Sequence, residues 1–247
     1  MSVDDEIRDY WDADAATYDD APGHRPTSAA VQAAWAGALA RLLPSSPARV
    51  LDCGAGTGFL SLMAARQGHQ VTALDTSPRM LERLRGRAVI EGLAIEVVEG
   101  LASAPPPGPF DAVMERHLVW TLPDPAATLA AWRTAAPLGR LVLFENLWPS
   151  ADAVEALLEG ARGLLRRFRR SPDDHHGAYP SSVAQALPLG PGTHPSALVE
   201  TAREAGWPDP WMERLRDVDW SSSLELPLPE RLLGVRPRFV VASRSLR

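Results

Sequence analysis

Short apolar runs alternate with longer amphipathic stretches over the first 146 residues of the chain. Runs at 48–54, 70–75, 94–100, 110–116 and 139–146 have strand length and are closed by glycine or polar residues, as buried strands are. Between them, helical periodicity predicts helices at 28–43, 58–68, 77–92 and 125–136, after a first short helix at 4–18 that carries Tyr10, Trp11 and Tyr18. Pro44 stops the second of these, Gly68 stands at a C-cap position, and Ser77 followed by Pro78 is a helix-start signal. Continuous rather than alternating apolar strands, each followed by a helix, point to a parallel sheet covered on both faces.

From 147 to 195 that rhythm breaks. This stretch holds an arginine-rich helix over 156–171 and a polar loop, "SPDDHHGAYPSS". A helix at 196–205 and strand candidates at 211–220 and 237–245 follow. Late strands with no helix between them can run antiparallel. The expected fold is a Rossmann-like, doubly wound α/β sheet of seven strands, mostly parallel with an antiparallel last strand. It divides into an N-terminal cap (1–27), a core (28–146), an insertion (147–195) and a C-terminal completion of the sheet (196–247).

Composition narrows the function. The chain has 247 residues, 45% hydrophobic and 23% charged, in the range of one globular α/β domain. Its single cysteine, Cys53, allows no internal disulfide and fits a reducing cytoplasm. The acidic start, "MSVDDEIRDYWD", does not read as a signal peptide, and no apolar run approaches the roughly 20 residues of a membrane span. A net charge of −6 argues against nucleic acid as a partner. All 25 basic residues are arginine, which excludes lysine chemistry such as a Schiff base.

The densest chemical signal is "VLDCGAGTGFLSL" at 50–62. A phosphate-binding P-loop needs a lysine that the chain lacks. A dinucleotide fingerprint from Gly54 needs glycine where Phe59 stands, and a bulky ring there obstructs close helix–strand packing. What fits is D-x-G-x-G-x-G: alternating glycines let a ligand approach the backbone, and Asp52 at the strand end can face a ligand ammonium. Asp75, ending the next strand, can accept from both hydroxyls of a ribose.

With "ALDTSPRML", "FDAVMERHLVWTLPDP" and "AAWRTAAPLGRLVLFEN", this loop resembles the class I S-adenosylmethionine-dependent methyltransferases over residues 10–146. The resemblance implies S-adenosylmethionine as cofactor and S-adenosylhomocysteine as product. It places Tyr18, Gly54, Ala55, Gly56, Thr76, Met80, Gly100, Leu101, Ala102, Glu115 and Arg116, with Asp52 and Asp75, along the cofactor. The family's usual acid after the third strand is replaced by Leu101, so the adenine is expected to rest on Leu101 and Met80. Tyr18 would meet the methionine carboxylate, and Tyr10 and His24 would face the acceptor.

His117, directly after a strand end, is the candidate base, with Glu145 as a second polar group. Arg116 would pair with an acceptor carboxylate or with Glu115 or Asp124. The apolar side of the 156–171 helix, ending in Phe168, is expected to cover the acceptor pocket with Trp120, Trp148, His175, His176 and Tyr179, its arginines facing solvent. No metal site is expected. The reading is methyl transfer to O, N or C of a small, natural-product-like molecule by a monomer or homodimer. A macromolecular methyltransferase and a non-methylating, cyclase-like user of the same cofactor are the rivals.

Overall fold

A computed structural model describes residues 2–21, 23–146, 152–169, 179, 181–189 and 193–246, with the 166–169 side chains excepted. Seven strands form one sheet in the order β3-β2-β1-β4-β5-β7-β6. They are β1 (Arg49–Cys53), β2 (Gln70–Asp75), β3 (Ile95–Glu99), β4 (Ala112–Arg116), β5 (Arg140–Asn146), β6 (Trp211–Arg214) and β7 (Arg238–Ala242). The first five pair in parallel, and β7 runs antiparallel to both β5 and β6.

The helices are α1 (Val3–Asp14), α2 (Ala29–Leu42), α3 (Phe59–Arg66), α4 (Pro78–Glu91), α5 (Pro125–Ala135), α6 (Ala153–Arg169), α7 (Ser181–Ala186), α8 (Ser196–Glu204), α9 (Arg216–Leu224) and α10 (Leu228–Leu233). Ser77 caps α4 by accepting from the Met80 N–H, and Asp124 caps α5 through Ala127 N–H.

Alternation along the strands builds two cores. Val50, Met114, Val142 and Phe144 face Trp35 and Leu39 of α2, Leu60 and Met63 of α3 and Val218 of α9. Leu51, Val113, Leu141 and Leu143 face Leu129 and Trp132 of α5 and Leu198 of α8. Each such buried side chain contributes about 1.5–3 kcal/mol, so the central strands are anchored on both faces.

The segment 211–220 departs from its sequence reading. Only Trp211–Arg214 is strand, and Arg216–Leu224 turns into a helix. There Val218 and Ser221 share one buried side at helical spacing, and tertiary packing overrides the strand propensity of the tryptophans.

Candidate functional site

The chain leaves β1 in one direction to build β2 and β3, then returns to the other side of β1 for β4 and β5. Ligands in such sheets bind at this reversal, beyond the carboxyl ends of the strands. A cavity of about 510 Å³ lies there, bounded by the glycine loop after β1, the ends of β2 and β3, the turn after β4, α1 and α7. That volume is in the range of small-molecule sites.

The loop's shape follows from its glycines. Gly54, Gly56 and Gly58 all have positive φ, at 64°, 53° and 92°. Gly54 and Gly56 lie on the cavity wall, and a side chain on Gly56 would enter open space. The loop is pinned to the next strand by Ala55 N–H donating to Leu74 O at 3.0 Å and Gly56 N–H to Asp75 Oδ2 at 2.7 Å. Ser77 N–H holds the other Asp75 oxygen at 2.8 Å. The Asp75 carboxylate is thus fixed on the wall, and burial raises its pKa, which a pair of ligand hydroxyls would offset.

Leu74, Met80, Gly100 and Ala102 continue this wall as an apolar surface. Trp132, fully buried in α5, donates its indole N–H to Ala102 O at 2.7 Å and so sets the turn after β3. The half-cavity therefore combines an open backbone cradle, one fixed carboxylate and an apolar slot. That donor set fits a nucleoside without phosphates.

The other half is built on β4 and β5. His117 has φ 62°, an uncommon conformation for a residue with a β-carbon, and its N–H is held by Phe144 O at 3.1 Å. Its Nδ1 lies 3.3 Å from Glu145 Oε2. Burial drives the His117 pKa well below 6.5, with the positive charge of Arg116 adding to the effect. Burial, aided by the neighbouring Glu115 charge, drives Glu145 well above 4.5. Both directions disfavour the charged forms. Glu115, fully buried, accepts from Leu118 N–H at 2.7 Å and is raised by burial to about 8.

The cap is fastened to the core at several points. Asp12 accepts from Ser77 Oγ and from Arg79 N–H. Asp19 receives Arg87, Arg83 and Thr57 Oγ1. Arg116 donates to the carbonyls of Gly23 and His24 and lies 4.1 Å over the Phe59 ring. His24 stacks on Tyr18 with centroids 4.0 Å apart, and its Nδ1 meets Tyr18 O at 2.6 Å. A carbonyl only accepts, so that nitrogen carries the proton.

Many residues singled out in the sequence line one cavity: Tyr10, Tyr18, His24, Gly54, Gly56, Asp75, Thr76, Met80, Gly100, Ala102, Arg116, His117, Trp120 and Tyr179. Others do not. Asp52 is turned away from the ligand space, accepting from Ser61 Oγ at 2.5 Å, and burial raises it to about 7. Ala55 and Glu115 are packed behind the wall, and Glu145 reaches the cavity only through His117. Leu101 is 38% exposed and off the wall, because its neighbours Gly100 and Ala102 occupy the inward positions. Arg116 pairs with neither Glu115 nor Asp124; it serves cap carbonyls instead.

The expected lid is also corrected. Leu157 and Leu164 of α6 are 75% and 57% exposed, whereas Arg162 is 7% exposed. Arg162 donates to Glu155 at 2.5 Å and to the carbonyls of Leu233 and Gly234, so α6 docks on α10 through its charged side. Sequence periodicity marks a two-sided helix but not which side meets the protein. The cavity is covered instead by α7, whose Ala184 lies on the wall together with Leu187 just after it. Ser182 Oγ donates to Glu6 of α1 at 2.6 Å. Trp148, His175 and His176 fall outside the described residues, as does the side chain of Phe168. Arg236 and Asn146 line the cavity without having been anticipated, since no motif marks them.

The sheet order, the glycine loop and the acid at the end of β2 define a class I S-adenosylmethionine-dependent methyltransferase fold, and S-adenosylmethionine is the cofactor its first half-cavity fits. Residues 50–138 match the family described as "Methyltransferase domain". A ubiquinone biosynthesis O-methyltransferase of Bordetella parapertussis is 32% identical over 162 residues, 64% of this chain and 61% of that protein. One from Xylella fastidiosa is 39% identical over 108 residues, 42% and 44% of the two chains. The chain thus spans about half the length of the curated relatives it matches. Phosphoethanolamine N-methyltransferase 2 of Haemonchus contortus, solved with phosphomonomethylethanolamine and S-adenosylhomocysteine, superposes with TM-score 0.64 at 17% identity. That match covers 100% of this chain and 61% of the other, and it is a likeness of fold.

Proposed function

We propose that this protein transfers a methyl group from S-adenosylmethionine to an oxygen of a small-molecule acceptor. The observation that carries the reading is the His117–Glu145 pair at 3.3 Å, with His117 on the wall of the same cavity as the glycine loop and Asp75. An acceptor hydroxyl must lose a proton to become a good nucleophile, whereas an amine need not lose it early. The O-methyltransferase relatives support oxygen as the attacking atom.

Gly54, Gly56 and Asp75 would hold the cofactor, which when bound supplies an electrophilic methyl whose sulfur leaves with the bonding electron pair. Glu145 Oε2 accepts the His117 Nδ1–H and so orients the imidazole, leaving Nε2 unprotonated to take the hydroxyl proton as the new oxygen–carbon bond forms. The cap (1–27) and α7 shield the core from water, which makes the site's dipoles more effective and protects the acceptor geometry. The insertion 147–195 acts as the lid through α7, and 196–247 completes the sheet. A natural-product acceptor in the cytoplasm fits this reading; among the described residues no helix is long and apolar enough to cross a membrane.

The test is incubation with S-adenosylmethionine and a panel of hydroxylated small molecules, following S-adenosylhomocysteine and acceptor mass. A gain of one methyl, lost in His117→Ala, is expected. An acceptor converted with no S-adenosylhomocysteine formed would instead establish the non-methylating reading.

A further inference from the structure

A second, much smaller cavity shares two wall residues with the first. Its volume is about 20 Å³, and Glu145, Asn146, Thr193 and His194 are among its walls. Trp120 and Asn146 line both cavities, whereas His117 lines only the large one and Glu145 only the small one. The contact of His117 Nδ1 with Glu145 Oε2 at 3.3 Å therefore joins the two spaces.

Two oxygens of the residues around the small cavity are left over. Among the described residues, neither Glu145 Oε1 nor Asn146 Oδ1 has a hydrogen-bond partner. Glu145 is 4% exposed, so bulk water does not serve it. A buried polar atom without a partner is costly, and proteins satisfy such atoms, often with an internal water. One water needs roughly 10–15 Å³ of such volume and a few polar partners, and the small cavity has that room. Ser196 N–H donates to His194 Nδ1 at 3.2 Å, so the neutral His194 ring carries its hydrogen on Nε2, which a water can accept. Water also both donates and accepts, so it suits Glu145 as carboxylate or as the acid that burial favours.

We propose that the small cavity is a binding site for one water molecule, which bridges Glu145 Oε1 and Asn146 Oδ1 and accepts the His194 Nε2–H. Held in this way, Glu145 presents Oε2 to His117 Nδ1 in a single orientation. Asn146 and His194 are then positioning residues for the base, acting through the water and Glu145. The effect on turnover rests on the His117 reading above; the water site rests on the cavity and the two oxygens alone.

The experiment begins with a crystal structure of the full chain with S-adenosylhomocysteine, at a resolution that shows ordered water. One water within hydrogen-bonding distance of both Glu145 Oε1 and Asn146 Oδ1 is expected. An empty cavity, or a side chain or metal ion in its place, overturns the proposal. Thr193→Leu, which fills the space, and Asn146→Leu, which deletes one acceptor, then test the consequence. In each, nitrogen NMR of His117 should change from one ring tautomer to a mixture. With an acceptor found in the panel above, kcat should fall about tenfold, the effect of losing one orienting hydrogen bond, while KM for S-adenosylmethionine holds. Thr193→Ser, which keeps the space open, should restore the single tautomer. Unchanged S-adenosylhomocysteine affinity verifies the fold of each variant. A single tautomer with wild-type kcat in both leucine variants overturns the positioning role. A water in place, with activity that survives His117→Ala, would instead overturn the base reading and leave the water site standing.

Discussion

His117 Nδ1 stands 3.3 Å from Glu145 Oε2, joining the turn after β4 to the end of β5. Burial lowers the imidazole pKa well below 6.5 and raises the carboxyl well above 4.5. If the pair removes the acceptor proton, His117→Ala should lower kcat by about 10²–10⁴-fold, the usual worth of a positioned base. Glu145→Gln should lower it less, and neither should shift S-adenosylhomocysteine affinity more than about threefold. With the His117 pKa well below 6.5, kcat should show no histidine limb between pH 6.5 and 8. An ordinary histidine limb in that range would refute the assignment.

Asp75 is fixed by Gly56 N–H and Ser77 N–H on the cofactor wall. Asp75→Asn removes the charge and one acceptor oxygen. A charge-assisted hydrogen bond contributes about 1.5–3 kcal/mol, so S-adenosylhomocysteine affinity should fall at least about tenfold by calorimetry. Circular dichroism should be unchanged. Retained affinity would remove Asp75 from the ribose role.

Gly56 and Gly58 differ in what a side chain would meet. A Cβ on Gly58 would lie 2.6 Å from Leu84 Cγ, at φ 92°, whereas one on Gly56 meets nothing within 4 Å. Gly58→Ala should cost the backbone strain plus overpacking, about 2–5 kcal/mol together. Gly56→Ala should cost only the strain, about 1–2 kcal/mol, but should block the cofactor. Denaturant melts and calorimetry separate the two outcomes.

Asp52 and Glu115 titrate near 7 and 8 in the folded protein. Unfolded, both ionise near pH 4. Between those values the unfolded chain holds fewer protons, so stability is present at low pH and is lost as pH rises from about 4 to 8. Each carboxyl contributes up to about 1.4 kcal/mol per pH unit within its window. Tm at pH 8.5 should therefore lie below Tm at pH 5.5. Asp52→Asn with Glu115→Gln should flatten the dependence; an unchanged slope in the double variant would contradict the assignment.

Arg162 and Glu155 form a buried pair on one side of α6. Arg162→Ala leaves a buried carboxylate without its guanidinium and should cost about 3–5 kcal/mol. Replacing Arg162 by Met and Glu155 by Leu together should recover most of that loss, because the desolvation cost disappears with the charges. Equal melts for wild type and Arg162→Ala would show the pair to be incidental.

The sequence by itself determined the strand–helix alternation, the glycine loop, Asp75 and His117. These are local consequences: apolar runs demand burial, positive φ demands glycine, and a residue directly after a strand end is carried to the site by the strand. Only the tertiary structure decided which side chains line the cavity. Asp52 sits in the loop motif yet turns to Ser61, because strand residues alternate between faces and its oxygen finds a buried partner there. Leu101 faces outward for the same reason of local geometry. The cavity is lined by α7 and not by α6, because an amphipathic pattern does not say which side is worth burying, and the Arg162–Glu155 pair with two backbone carbonyls won that contest. Arg236, remote in sequence from every motif, reaches the cavity because β7 pairs antiparallel with β5 and carries the preceding turn back beside Asn146, a placement set by long-range strand pairing.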